Sequence, residues 1–157
     1  MADKAIANTS ASVFLDEIKS SMGGELNYEP ADAGDKWAFY EVSVSSSSGD
    51  LITTIDFLGT DTATTTSDKV RWLAVKNIST TKTDGICICL DGGTASYTLV
   101  DGMYIGAGEM IIIKCPNTTM GNLHAVSVTM DGTYGYPSAA HTGSVNCQVA
   151  AIIDDVA

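Results

Sequence analysis

Basic residues are scarce in this sequence and are nowhere clustered. Its 157 residues include 8 Lys plus Arg against 19 Asp plus Glu, which gives a formal net charge of -11 at pH 7. Proteins that bind nucleic acid through its phosphates need grouped Lys and Arg side chains. We therefore predict no nucleic-acid partner, and we expect the acidic surface to disfavour binding to anionic membranes.

Long apolar runs are also lacking. No stretch approaches the roughly 18 consecutive apolar residues that indicate a membrane span. Residues 1–4 are polar and acidic, whereas a secretory signal begins with basic residues followed by an apolar run. The sequence thus predicts a chain that is made and folded in the cytoplasm and that is not inserted into a membrane.

Cysteine is infrequent, and its spacing does not indicate a metal site. The four cysteines are Cys87, Cys89, Cys115 and Cys147. Cys87 and Cys89 are two residues apart, so in a strand both face the same side. Cys-x-Cys without a nearby histidine is a poor zinc-binding pattern. We predict buried free thiols, no bound metal and no cofactor, while the Asp-Gly turns leave calcium binding as an alternative.

A catalytic motif is lacking too. The only histidines are His124 and His141. A Ser-His-Asp site would also need a serine on a strained turn, as in Gly-x-Ser-x-Gly, and that motif is absent. The adjacent acids Asp16-Glu17 and Asp154-Asp155 fit solvated charge better than acid–base chemistry. We therefore predict no catalytic residues and a protein that is not an enzyme.

From residue 36 onward the chain alternates between segments rich in Val, Ile and Thr and turns such as Asp84-Gly85 and Asp131-Gly132. The predicted strands cover residues 37–44, 51–58, 70–78, 85–90, 96–100, 109–115, 123–130 and 144–153. This pattern predicts an all-β fold, a jelly-roll-like antiparallel β-sandwich of about eight strands over residues 36–157. An immunoglobulin-like sandwich is the nearest alternative, but its Cys…Trp…Cys spacing is absent.

Residues 1–35 are predicted to form an N-terminal arm that precedes the sandwich. The apolar spacing over residues 12–22 predicts a short amphipathic helix, which Gly23-Gly24 would end, and residues 25–36 predict a linker. A helix this short is not stable alone in water, so its apolar face must pack on its own sandwich, a second copy or another protein. The predicted partner-binding residues are Val13, Phe14, Leu15, Ile18 and Met22.

A loop with two tyrosines offers a second candidate surface. In the stretch Tyr134-Gly135-Tyr136-Pro137, the tyrosine rings could stack on the apolar faces of a sugar. Tyr134 and Tyr136 are therefore candidate ligand contacts, whereas Trp72 lies mid-strand among apolar residues and is expected in the core. The glycine-rich residues 102–108 precede a strand and not a helix, which predicts a tight corner instead of a phosphate-binding loop.

Three stretches carry a resemblance to a known family. They are VRWLAVKNI (70–78), CICLDGG (87–93) and IGAGEMIIIK (105–114). Together they resemble the small jelly-roll decoration, or cement, proteins of tailed-bacteriophage capsids. The shared pattern is a Leu-x-Val-x-Asn-x-Ser/Thr strand, a strand ending Asp-Gly-Gly, and Gly-x-Gly-Glu before an aliphatic strand.

The resemblance implies a virion protein on the outer capsid surface, assembled in the host cytoplasm. Such a protein commonly forms a homotrimer and clamps neighbouring subunits of the major capsid protein. The family carries no catalytic residues to transfer, and the arm is nominated as the partner-binding segment on physical grounds alone. The alternative is a receptor- or carbohydrate-binding β-sandwich module of a phage tail or fibre, in which Tyr134 and Tyr136 would contact the ligand.

Overall fold

The computed structural model describes residues 5–15, 18–29, 36–53, 66–115 and 117–154, and within them the fold is all-β, as predicted. One short 3-10 helix, Met120–Asn122, accompanies the strands. The strands are β1 (Ala5–Leu15), β2 (Ile18–Tyr28), β3 (Lys36–Val44), β4 (Gly49–Asp50), β5 (Lys69–Asn77), β6 (Asp84–Cys89), β7 (Met103–Ile105), β8 (Met110–Lys114), β9 (His124–Met130), β10 (Pro137–Ala140) and β11 (Val145–Asp154).

Strands β3 to β11 form two antiparallel sheets, which we call the body. One sheet has the order β3-β11-β5-β8, and the other has the order β10-β9-β6-β7 with β4 also paired to β9. The first body strand therefore pairs with the last, and the chain passes repeatedly from one sheet to the other. This is the connectivity of an eight-stranded jelly roll, to which β10 adds a short edge strand.

The main core lies between the two sheets because strand alternation points one apolar row of each sheet inward. In β11, Cys147, Val149 and Ala151 are buried and face Ile86 and Ile88 of β6 within a single apolar cluster. All four cysteines are buried free thiols, which confirms that prediction. The largest fully buried side chains are Leu51, Ile52, Leu73, Ile86, Ile88, Ile105, Met120, Leu123, Ile153, Val70 and Val75.

A second apolar cluster lies on the outer face of the β6–β9 sheet. Cys87 and Cys89 share that face, and the segment between β6 and β7 covers them with Ala95 and Leu99. The predicted strand over residues 96–100 is therefore wrong. Leu99 instead lies in a turn, where its carbonyl oxygen accepts a hydrogen bond from Tyr104 Oη at 2.5 Å. An apolar sheet face needs a cover, and this loop supplies it.

The predicted helix over residues 12–22 is also wrong. Strands β1 and β2 instead pair along their full length, from Ala5 opposite Tyr28 to Leu15 opposite Ile18. Gly23 and Gly24 lie inside β2 and do not end a helix. The Ser, Thr and Val residues of this segment favour extended backbone over helix, and a long hairpin also satisfies more backbone groups than one short helix.

Some strand boundaries differ from those predicted. The last part of β2 occupies residues 25–28, where a linker was predicted, and residues 30–35 lie outside the described part of the chain. Of the predicted strand 51–58, residues 51–53 are bends or irregular and residues 54–58 lie outside the described part. The short strands β7 and β10 lie in segments that were predicted to be turns or loops.

Candidate functional site

The hairpin of β1 and β2, which we call the arm, is amphipathic. Residues directly opposite in an antiparallel pair share a face, and successive residues alternate between faces. The register places one apolar row on a single face: Ala5, Ala7, Ala11, Val13, Leu15, Ile18, Met22, Leu26 and Tyr28. The opposite face carries mainly Asn, Ser, Glu and Lys, together with Ile6 and Phe14, so the register separates Phe14 from the other predicted partner-binding residues. The arm thus has one face suited to packing against another surface.

The base of the arm packs on the body. Ala7 is buried, and together with Leu26 and Tyr28 it belongs to an apolar cluster with Trp72 of β5 and Ile152 of β11. Trp72 and Ile152 lie on the outer face of the β3-β11-β5-β8 sheet, away from the main core. The base of the arm therefore covers part of this outer sheet face.

Just beyond its base, at residues 8–10 and 22–25, the arm is exposed on both faces. Asn8 and Thr9 lie on opposite faces of β1 and are both exposed, as are Gly23 and Gly24 of β2. Met22, on the apolar face, is 69% exposed. Of the predicted partner-binding residues, Met22 is therefore accessible. The side chains of the others, Val13, Phe14, Leu15 and Ile18, lie outside the described part of the structure, although their backbone is paired in the hairpin.

An exposed pair of aromatic side chains, which we call the aromatic strip, lies beside the arm base. Trp37 and Phe39 of β3 are 58% and 61% exposed. Their register partners on β11 are Ile152 and Ala150, which both belong to the apolar cluster at the arm base. Sequence reasoning missed this strip because β3 also carries apolar residues on its inner face. The strip could have been predicted from the alternation in β3, which puts apolar residues on both faces of the strand although only one face can pack in the main core.

No protein-family model matches the chain, and no curated protein is similar to it in sequence.

The second candidate site is a cleft at one end of the body. Three connections meet there: residues 78–83 between β5 and β6, residues 106–109 between β7 and β8, and residues 131–136 between β9 and β10. The cleft has a volume of about 320 Å³. Its polar lining comes from Lys82, Glu109, Asp131 and Thr133, with Tyr134 at its edge. We call this site the loop cleft.

Asn77, the last residue of β5, ties these connections together. Its side chain is fully buried, and Nδ2 donates to the carbonyl oxygens of Asp84 at 3.0 Å and Ile105 at 3.3 Å. Its Oδ1 accepts from the backbone N–H of Ser79 at 2.9 Å. A buried amide with all these partners is well satisfied. Asn77 therefore fixes the position of two of the three connections that form the loop cleft.

Of the two candidate tyrosines, Tyr134 lines the loop cleft and Tyr136 stacks against Tyr134. The rings of Tyr134 and Tyr136 are stacked, with centroids 5.9 Å apart and an interplanar angle of 13°, and they are 74% and 53% exposed. The turn is held by Asp131, whose Oδ1 accepts from the backbone N–H groups of Thr133 and Tyr134 at 2.8 Å each. Gly135 has a φ of 69°, a conformation that favours glycine. The outward ring faces of the pair are thus presented to solvent.

Both histidines lie next to carboxylates. His141 Nε2 is 3.5 Å from Asp84 Oδ1, while Asp84 Oδ2 accepts from Ser79 Oγ at 2.7 Å. The carboxylate thus lies between serine and imidazole, whereas a general base for serine requires the imidazole in that position. His124 Nδ1 donates to the carbonyl oxygen of Gly93 at 2.8 Å, and its Nε2 is 3.4 Å from Asp50. These contacts link loops and strands and do not assemble a nucleophile.

The thiols are held in their neutral form by burial. Burial raises the pKa of Cys115 to about 11 and that of Cys147 to about 12. Burial likewise raises the pKa of Cys87 and of Cys89. Because the thiolate is the nucleophile and the metal ligand, these cysteines pack as small apolar groups.

Within the described ranges, no group of three or more His, Cys, Asp or Glu side chains is arranged to hold a metal ion. Across the same ranges, no helix has the length and apolar character needed to cross a membrane.

Proposed function

We propose that this protein is a non-enzymatic virion structural protein of the decoration, or cement, type. In this role it binds major capsid subunits on the outer surface of a phage capsid, as a homotrimer. The observation that carries the proposal is the arm, a long hairpin whose described residues just beyond the base, 8–10 and 22–25, are exposed. An isolated two-stranded hairpin is at best marginally stable in water, so a protein partner that covers its apolar face explains the arm best.

The body is suited to the same role. Its two sheets enclose a continuous apolar core and hold the arm base on one outer face. The jelly-roll connectivity is the one expected from the resemblance to capsid decoration proteins, and jelly rolls are common among viral capsid domains. The net charge of -11 disfavours adhesion to nucleic acid, which suits a protein on the outside of a DNA-filled shell.

The proposal is tested by placing charges on one face of the arm at a time. Ile18→Asp with Met22→Asp alters the apolar face, and Ser10→Asp with Ser12→Asp makes the same charge change on the polar face. Co-sedimentation with particles assembled from the major capsid protein of the same phage gives the fraction bound. We expect the apolar-face variant to bind at least about tenfold more weakly, since burying one such side chain contributes about 1.5–3 kcal/mol.

The polar-face variant should co-sediment like the unaltered chain. Equal binding by both variants would show that the arm does not attach the protein to the shell. Absence of binding by the unaltered chain to those particles would overturn the decoration role itself.

A second candidate function is carbohydrate binding at the loop cleft, as in a receptor-binding module of a phage tail or fibre. The observation that favours it is the exposed Tyr134–Tyr136 stack beside a polar cleft, because sugar sites combine aromatic platforms with hydrogen-bonding side chains. Titration calorimetry against host surface polysaccharide tests it. Binding that is lost in Tyr134→Ala and kept in Tyr97→Ala, another exposed tyrosine, would support this function, and absence of heat would reject it.

A further inference from the structure

We infer that Asp101 is a spontaneous modification site, where conversion of aspartate to isoaspartate loosens the loop that covers the thiols of Cys87 and Cys89. The chain has four Asp-Gly pairs, with the aspartates at positions 84, 91, 101 and 131. Asp-Gly pairs favour this rearrangement because glycine, which has no Cβ, leaves the backbone nitrogen unhindered and mobile. The fold treats the four pairs differently, and only the pair at 101 is left free to react.

The rearrangement needs no reagent other than water. The backbone nitrogen of the glycine bonds to the Cγ atom of the aspartate, and the N–H proton leaves with the carboxyl OH group as water. A water molecule then opens the resulting succinimide ring. When it breaks the bond between the nitrogen and the original backbone carbonyl carbon, the chain runs on through Cβ and Cγ. The product has the same mass as before, but its backbone is longer by one atom.

Two of the four carboxylates are held by uncharged donors in their loops. Asp84 Oδ2 accepts from Ser79 Oγ at 2.7 Å. Asp131 Oδ1 accepts from the backbone N–H groups of Thr133 and Tyr134 at 2.8 Å each. Either side chain would have to break these hydrogen bonds before its Cγ atom could turn toward the nitrogen of the following glycine. The fold therefore protects both pairs.

Asp91 is held at both reacting groups. Its Oδ1 accepts from the Cys89 thiol at 2.8 Å and from the backbone N–H of Gly93 at 2.9 Å. These hydrogen bonds, the one from Cys89 first, lower the pKa of Asp91, and ring closure is slower from an ionised carboxylate than from the neutral acid. The attacking nitrogen is also occupied, since the N–H of Gly92 donates to the carbonyl oxygen of Asn122 at 3.0 Å.

The pair Asp101-Gly102 lacks these restraints. Asp101 is exposed, and within the described ranges no hydrogen bond or ion pair holds its carboxylate. The N–H of Gly102 donates to the carbonyl oxygen of Leu99 at 3.4 Å, which is longer than the roughly 3.2 Å upper end of ordinary N–H···O bonds. The preceding Val100 is fully exposed, so its side chain does not pin the turn. Here the two reacting atoms meet most readily.

The added backbone atom falls where the loop packs most tightly on a thiol. A Cβ atom placed on Gly102 would lie 2.8 Å from Cys87 Sγ and 3.2 Å from Leu99 Cδ2, so the backbone passes directly over the thiol. Leu99 packs on the cluster that contains Cys87 and Cys89, and its carbonyl oxygen accepts from Tyr104 Oη. A longer backbone between Leu99 and Tyr104 disturbs both contacts and uncovers the thiols.

Prolonged incubation of the full chain at neutral pH, followed by peptide mapping, tests where the reaction occurs. Electron-transfer fragmentation in a mass spectrometer distinguishes isoaspartate from aspartate at each position. We expect isoaspartate at position 101 to exceed the total at the other three. In urea, where the fold no longer holds the side chains, all four positions should react at similar rates. Equal accumulation in the folded chain, or a preference for position 101 that persists in urea, would overturn the inference.

Thiol labelling with an aromatic disulfide reagent tests the effect on the loop. Fresh protein should react slowly at Cys87 because this thiol is buried. After incubation the unaltered chain should react several-fold faster there. Asp101→Glu, whose longer side chain disfavours ring closure, should keep the rate of fresh protein, whereas the matched control Asp131→Glu should age like the unaltered chain. Isoaspartate at position 101 without faster labelling of Cys87 would contradict the loosening of the loop.

Discussion

The arm and the body obtain their structure from different sources. The arm pairs residues close in sequence, such as Leu15 with Ile18, and its described residues just beyond the base, such as Met22, are exposed. The body pairs residues far apart, such as Lys36 with Ile153, around a continuous core. The body therefore carries its own stabilising burial, whereas among the described side chains of the arm only Ala7 is buried.

The sharpest contrast should appear when one large apolar side chain is truncated in each region. Leu73→Ala removes a fully buried side chain from the main core and should cost about 2–5 kcal/mol of unfolding free energy. Met22→Ala in the exposed part of the arm should change it by less than about 0.5 kcal/mol. Urea denaturation followed by circular dichroism measures both, and similar costs would contradict the division into arm and body.

A smaller contrast is expected between two asparagines. Asn77→Ala leaves the carbonyl oxygens of Asp84 and Ile105 without their side-chain donor inside the body, at a cost of about 1–3 kcal/mol. In the arm, Asn27 donates to Glu25 at an exposed site, and Asn27→Ala should have almost no effect. Hydrogen exchange should show faster exchange at Ser79 only in the first variant. Unchanged exchange there would mean that Asn77 does not hold the loop end together.

The body should also respond to alkaline pH through its thiols, since residues 5–29 contain no cysteine. Burial raises the folded-state pKa of Cys115 from 9.0 to about 11. The folded state therefore holds this proton more tightly than the unfolded state does. The resulting stability is fully present below pH 9 and is lost as the pH rises toward 11. The urea midpoint should fall over this window, and less so in Cys115→Ala. An equal fall in both proteins would contradict a thiol origin.

The smallest effects should come from glycines and should differ in sign. Gly24 lies in an arm strand with open space where a Cβ atom would be added, so Gly24→Ala should stabilise the hairpin by about 0.5–1 kcal/mol. Gly108 in the body has a φ of 77°, so Gly108→Ala should cost about 1–2 kcal/mol. Hydrogen exchange of the arm amides and urea denaturation of the body measure the two changes. Equal signs would refute the conformational argument.

The body could be predicted from sequence because its alternation is strong. Residues 70–78 were predicted as a strand, and Lys69–Asn77 is one. The hairpin of the arm could not be predicted, because the spacing of the apolar residues at 14, 15, 18 and 22 fits one face of a helix as well as a hairpin. The choice between the two depends on a partner strand, and the small, polar residues 1–11 do not indicate one. Pairing with β1 decided the conformation.

The candidate sites were predictable in part. Tyr134 and Tyr136 were nominated from loop chemistry, and both are exposed. The aromatic strip could not be predicted, because β3 has apolar residues on both faces. Alternation shows that one of these faces packs in the core but does not show that the other, with Trp37 and Phe39, is exposed. Whether an outer sheet face is covered depends on the rest of the chain. The arm covers Trp72, and nothing within the described ranges covers Trp37 to the same extent.

The central position of β11 has a consequence for how the chain is made. This strand pairs with both β3 and β5, yet it is synthesised roughly 100 residues after β3. At about 5–20 residues per second, a ribosome needs on the order of ten seconds to supply it. Both strands of the arm emerge before the body, while β3 and β5 wait without their shared neighbour. A chain cut short before Val145 would lose the strand that joins them, so this fold can be completed only after synthesis reaches its last strand.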